Sequence, residues 1–274
     1  LDRDVLANKG PLGIGAVDLS YSGVVSSTIG ATGCYSVAMG AHTTASGCSS
    51  TAMGSGSYAC GNCSTSMGFG VRAIGTGSTS MGYLTCTTGP YSTAMGHGTR
   101  ACGYSSTAMG CGVCAIGEYS TAMGYCTCAI GEYSTAIGYS TRACGNISTA
   151  MGYYTTACGE ASTAMGYCTH ATGNYSTAIG FITRACGNYS TAIGYYTNAY
   201  INSSLAIGQC TQIGYSSTKM FAVGYGTDTQ STTTEDYNIH LSVDCNGLTC
   251  TKQLKIVDGA QGVGKVLTSD ADGL

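Results

Sequence analysis

From Gly33 to Gly208 a glycine returns at every seventh residue, and Ile201 is the single exception among the 26 slots. Alternate slots carry different neighbours, so the true repeat is fourteen residues built from two seven-residue halves. A unit this short cannot bury a core by itself. It must stack on copies of itself, which is how a solenoid is written in sequence.

Each half can be numbered 1 to 7 with its glycine at position 6. In the first half, position 2 is serine in all thirteen coils, from Ser36 to Ser204. Position 3 is threonine except at Val37 and Leu205, and position 4 is alanine except at Ser66 and Ser80. Position 5 is always Met or Ile: Met39, Met53, Met67, Met81, Met95, Met109, Met123, Ile137, Met151, Met165, Ile179, Ile193 and Ile207. Position 7 is often aromatic, as at Tyr125, Tyr139, Tyr153, Tyr167, Phe181 and Tyr195. The second half keeps small residues at positions 2 and 4 but varies position 3, which holds Arg72, Arg100, Arg142 and Arg184 among cysteines and other residues. Its position 7 carries Glu118, Glu132 and Glu160, or Asn146, Asn174, Asn188 and Asn202. These asparagines suit a tight turn, because Asn tolerates a left-handed backbone.

Alternation with period 2 predicts strands, two short ones per coil, and hence an all-β flattened roll. If the odd positions faced inward, four arginines would be buried without carboxylate partners, which is costly. The even positions hold little but Ser, Thr, Ala and Gly, so they fill the interior and the odd positions point out. The first-half sheet then exposes Thr and Met/Ile in every coil, a ridge about 60 Å long. A monomer rarely carries so large a contiguous apolar patch. Burying each Met or Ile is worth roughly 1.5–3 kcal/mol, so the ridge favours association, with the arginine-bearing face left to solvent.

Other chemistry is poorly supported. Charged residues are 8% of the chain and the net charge is −3, which gives no basic footprint for nucleic acid. No apolar run approaches 18 residues, and Leu1–Gly15 lacks the shape of a signal peptide. The seventeen cysteines are odd in number and irregularly spaced, unlike a disulfide framework. Cys60/Cys63 and Cys111/Cys114 form Cys-x-x-Cys pairs but fall at different phases of the repeat, without a matching His pair. Cys114 and Cys128 share a slot on adjacent coils, as do Cys144 and Cys158. Side chains in register point the same way, so free thiols serving as small apolar residues are expected. His42, His97, His170 and His240 lie in different columns. The stretch Gly259–Lys265 mimics a phosphate loop, yet Val266 follows where Ser or Thr is needed. The repeats contain only three Glu and no paired carboxylates for general acid–base work. No catalysis, metal or cofactor is expected. Asn62, Asn146, Asn174, Asn188 and Asn202 each begin an Asn-x-Ser match, which the repeat generates by placing a turn Asn before Ser.

The half-repeat Tyr119-Ser120-Thr121-Ala122-Met123-Gly124, followed by Thr127-Cys128-Ala129-Ile130-Gly131, resembles the YadA-like head repeat of trimeric autotransporter adhesins, and similar repeats occur in phage and virus tail fibres. The resemblance covers about residues 31–227. It implies a left-handed parallel β-roll, a homotrimer around one axis with the Met/Ile residues as its core, and an attachment or spacer role at a virion or cell surface. The expected organisation is an N-terminal connecting segment over 1–30, the β-roll over 31–227 and a β-rich neck or shaft over 228–274. In the last, Asn238–Cys245 and Leu248–Val257 read as strands flanking the hairpin signal Asn246-Gly247.

The leading reading is a trimeric fibre or adhesin segment, with a virus or phage fibre ahead of a bacterial adhesin head. Abundant cysteine and a tail without a heptad stalk or four-stranded anchor favour the former. The four arginines form a stripe for an acidic glycan or other host-surface receptor, or simply a solvated face. A self-assembling extracellular filament is a second class. An ice-binding solenoid is a third, prompted by the Thr column, but Met or Ile takes the place where a second outward Thr would be needed.

Overall fold

In the computed structural model, residues 10–23, 26–225, 239–247 and 249–251 are described. Among them there is no helix. Each coil gives one five-residue strand from positions 3–7 of the first half, such as Thr121–Tyr125 and Thr135–Tyr139. It also gives a two-residue strand from positions 3 and 4 of the second half, such as Cys128–Ala129 and Arg142–Ala143. The long strands belong to a 17-stranded sheet and the short ones to a 14-stranded sheet. The two halves are therefore less alike than their shared spacing suggests. After position 4 of the second half the chain turns at once: the N–H groups of Ile130 and Gly131 both donate to the carbonyl of Ala143, at 2.8 and 3.3 Å.

Successive coils pair in parallel without slip. Thr121 lies opposite Thr135, Met123 opposite Ile137 and Tyr125 opposite Tyr139. Each column of the sequence is thus a physical row along the roll, rising about 4.8 Å per coil. Positions 2 and 4 fill the interior: Ser134, Ala136, Thr141 and Ala143 are completely buried, as are their counterparts in neighbouring coils. The largest fully buried side chains are Ile213, Val71 and Val113, so the core is made of small residues throughout. Several interior serines bond to their own turn, as when Ser120 Oγ donates to the Gly117 carbonyl at 2.6 Å.

Close contact between successive coils explains the glycines. At position 6 of the first half φ is positive, +123° at Gly124 and +129° at Gly138, and a Cβ there would overlap the carbonyl of the glycine one coil on. Second-half glycines have ordinary φ but the same obstruction; a Cβ on Gly187 would strike the Ile201 carbonyl. Ile201 itself escapes the rule because the coil after it is longer. Ala192 pairs with Ala206, whereas Ala206 pairs with Ala222, two residues further on than the repeat requires.

The left-handed residue lies one place later than the sequence suggests. Position 1 of each half has positive φ, as at Tyr119 (55°), Cys126 (51°), Tyr133 (54°) and even the β-branched Ile147 (59°). Its N–H donates across coils, Tyr133 to the Glu118 carbonyl at 2.9 Å. The asparagines act differently from expectation. Asn146 Oδ1 accepts from the Glu132 N–H and Asn174 Oδ1 from the Glu160 N–H, each at 3.0 Å, forming an amide ladder along one corner.

Both ends depart from the repeat. Val17–Tyr21 pairs in parallel with Val37–Ala41, placing Asp18 beside Ala38 and Ser20 beside Gly40. At the other end Lys219–Gly224 pairs antiparallel with Ile239–Asp244, which forms a hairpin with Thr249–Thr251. The hairpin turn is closed by Gly247 N–H donating to the Asp244 carbonyl at 3.1 Å. The phosphate-loop mimic Gly259–Lys265 lies outside the described residues.

Candidate functional surfaces

Three outward rows carry the chemistry. The first consists of Thr at position 3 and Met or Ile at position 5 on the long-strand sheet. Neighbours in the row above and below half-cover each side chain, yet Met39, Met123 and Ile193 keep 39%, 36% and 37% of their surface exposed. Of the thirteen Met/Ile residues none reaches the interior of its own roll. Their side chains form one continuous apolar band, because register places Met95 beside Met109 and Met151 beside Met165.

The second row is aromatic, a column to which the amino-acid pattern alone assigns no role. At position 7, Tyr125, Tyr139, Tyr153, Tyr167, Phe181 and Tyr195 stack ring on ring, with centroids 4.8–5.1 Å apart and planes within 13°. At the other end of the long strands, position 1 gives two separate stacked pairs, Tyr119 with Tyr133 at 4.9 Å and Tyr175 with Tyr189 at 5.1 Å. Offset aromatic pairs of this kind add about 0.5–1.5 kcal/mol each beyond burial. They offset part of the left-handed strain, about 1–2 kcal/mol per non-glycine residue. The signal was legible, since like residues in one column of an unslipped repeat must touch.

The third row is position 3 of the short-strand sheet. Arg72, Arg100, Arg142 and Arg184 are all exposed, but they are not adjacent. Cys86 separates the first two, Cys114 and Cys128 the next, and Thr156 and His170 the last. The stripe is a series of isolated cations two or three coils apart. One open notch of about 460 Å³ interrupts it, lined by Cys126, Ser140, Arg142, Tyr154, Thr156, Cys168 and His170. Burial, helped by the Arg184 charge, holds the His170 pKa below the ordinary histidine value. Tyr154 stands edge-on against Tyr153, 4.6 Å away.

The cysteines sit mostly on outer columns and corners, not in the interior as small apolar filler; Cys48, Cys60, Cys63, Cys102, Cys126 and Cys158 are exposed. Among the described residues no three His, Cys, Asp or Glu side chains gather as a metal site. No helix among them is long and apolar enough to cross a membrane.

Residues 31–57, 73–99, 88–110, 129–155, 157–181 and 186–209 match the YadA head domain repeat (2 copies). No curated protein matches the chain.

Proposed function

The chain belongs to the YadA head repeat family, a structural, adhesin-type family of cell-surface exposure, and on that premise we propose that three copies assemble into a rod that holds an attachment tip away from a surface. One observation carries this reading: thirteen Met or Ile side chains point out of the roll in unbroken register while its interior is already filled by Ala, Ser and Thr. A face of that length needs cover, and identical chains related by a rotation axis supply it with the same face. The short-strand sheet, with its arginines, then faces solvent.

Within that reading, the rod is a segment of a virus or phage fibre. Seventeen cysteines support this, since a chain exported through an oxidising compartment would risk random disulfides, whereas a fibre assembled in reducing cytoplasm would not. The notch beside Arg142 is the proposed place where an acidic host-surface glycan docks. It offers a guanidinium, an aromatic edge and small polar groups, with Glu118, Glu132 and Glu160 lying at the opposite corner of the short strands.

Light scattering on point variants tests the assembly. Met123→Asp or Ile137→Asp is expected to reduce the measured mass to that of one chain, while Arg142→Ala leaves it at three. An unchanged mass for both Asp variants removes the Met/Ile row from the interface.

A further inference from the structure

Along position 3 of the short-strand sheet, four consecutive coils set Arg100, Cys114, Cys128 and Arg142 side by side in register. Neighbouring strands are about 4.8 Å apart, inside the Cα range of about 4.4–6.8 Å that a disulfide spans. Both thiols are half-exposed. A guanidinium flanks the pair on each side, and among the described residues no carboxylate neutralises either one. Parallel side chains argued against a bond at this spacing, but rotation about each Cα–Cβ bond turns the two sulfurs toward one another within that Cα range.

We propose that Cys114 and Cys128 form a reactive dithiol that closes into a reversible inter-coil disulfide by exchange with small-molecule disulfides. Cys114 is the attacking group. The S–H of Cys128 donates to its sulfur and the Arg100 charge lies beside it, which together hold the Cys114 thiol down to about 6. The same hydrogen bond, with burial, pushes the Cys128 thiol up. Cys114 thiolate attacks one sulfur of the reagent RSSR; the S–S bond breaks and RS⁻ leaves, taking a proton from solvent. Converting Cys114 to a mixed disulfide removes the negative charge and the acceptor that kept Cys128 protonated, leaving the Arg142 charge to favour its thiolate. Cys128 gives its proton to solvent and attacks Cys114 Sγ, expelling the second RS⁻. The balance is two protein thiols and one RSSR giving one protein disulfide and two RSH. The protein loses two electrons and the reagent gains them.

Cys144 and Cys158 provide an internal comparison. They occupy one column on adjacent coils, yet burial and the Cys144 thiol push Cys158 up to about 11, so it is protonated at neutral pH. A closed Cys114–Cys128 bridge would clamp two coils together and oppose peeling of the roll between them, since each coil is held only by its neighbours.

The test exposes the intact assembled protein to oxidised glutathione at pH 7, quenches with acid, alkylates and digests with chymotrypsin. Cleavage after Tyr119 and Tyr125 separates the two cysteines onto peptides that also carry Cys111 and Cys126, so fragmentation of a linked pair places the bond. The expected result is a Cys114–Cys128 linked pair, confirmed by fragmentation, released by dithiothreitol and formed well before Cys158 reacts. Cys128→Ser is expected to trap glutathione on Cys114, and Arg100→Ala to slow the reaction severalfold at pH 7. Recovery of Cys114 and Cys128 as separate alkylated peptides, or faster modification of Cys158 than of Cys114, overturns the proposal.

Discussion

Gly124 and Gly138 stack so closely that a Cβ on Gly124 would overlap the carbonyl of Gly138. The same residue has φ near +123°, a region open essentially to glycine alone. Gly124→Ala therefore combines backbone strain with a backbone clash and is expected to cost about 3 kcal/mol or more. Gly98→Ala is the matched control. Its φ is +61°, nothing lies within 4 Å of the added methyl, and His42, Leu84 and Cys126 occupy equivalent corners. Denaturant unfolding should show only the left-handed cost of a non-glycine residue there, about 1–2 kcal/mol. Equal losses for the two substitutions would contradict the stacking explanation.

Thr141 shows what the interior tolerates. Its Oγ1 is buried without a hydrogen-bond partner, as are those of Thr127, Thr155 and Thr169. In the same column Val71 and Val113 are fully buried. Exchanging a buried, unpartnered hydroxyl for a methyl of equal shape removes a desolvation cost of about 1–3 kcal/mol. Thr141→Val is expected to be neutral or stabilising in thermal unfolding. A clear loss would mean that the hydroxyl finds a partner, such as an interior water.

His170 makes one coil acid-sensitive. Its folded pKa lies below the unfolded value of about 6.5, because burial and Arg184 oppose its charge. Between those two values the unfolded chain binds more protons, so stability rises with pH. The contribution is complete above about 6.5 and is lost as pH falls toward the folded pKa. His170→Thr, which copies its neighbour Thr156, should remove this dependence. Unfolding midpoints measured from pH 7.5 to 5 check it: the parent is expected to lose stability relative to the variant on acidification, and parallel curves would contradict the assignment.

Most of the architecture was legible because the repeat has no insertions between Gly33 and Gly208, so period alone fixes register. That is why spacing alone places Met123 beside its neighbours in adjacent coils. Facing was legible too, since Arg142 cannot share an interior with Ala143. The corner geometry was not. Tyr119 and Ile147 are poor left-handed residues by intrinsic preference, and only cross-coil hydrogen bonds and ring stacking hold them there. The first coil was hidden for a different reason: Ser20 replaces the expected glycine, and the spacing from Val17 to its partner Val37 exceeds the repeat. Among the surface groups, the interruption of the arginine stripe could be read directly from Cys114, Cys128 and His170. The unlike acidities of the Cys114 and Cys128 thiols could not, because they depend on side-chain rotation.

The most direct measurement of the inter-chain seam is photo-crosslinking with photo-methionine. Nine of the ten methionines lie in the position-5 row, and Met220 is the tenth. Irradiation of the assembled protein should give covalent dimers and trimers on denaturing gels, with links mapping from Met109, Met123 and Met151 to the same row of another chain. Irradiated chains that remain single, or that join only through Met220, would contradict a shared Met/Ile axis.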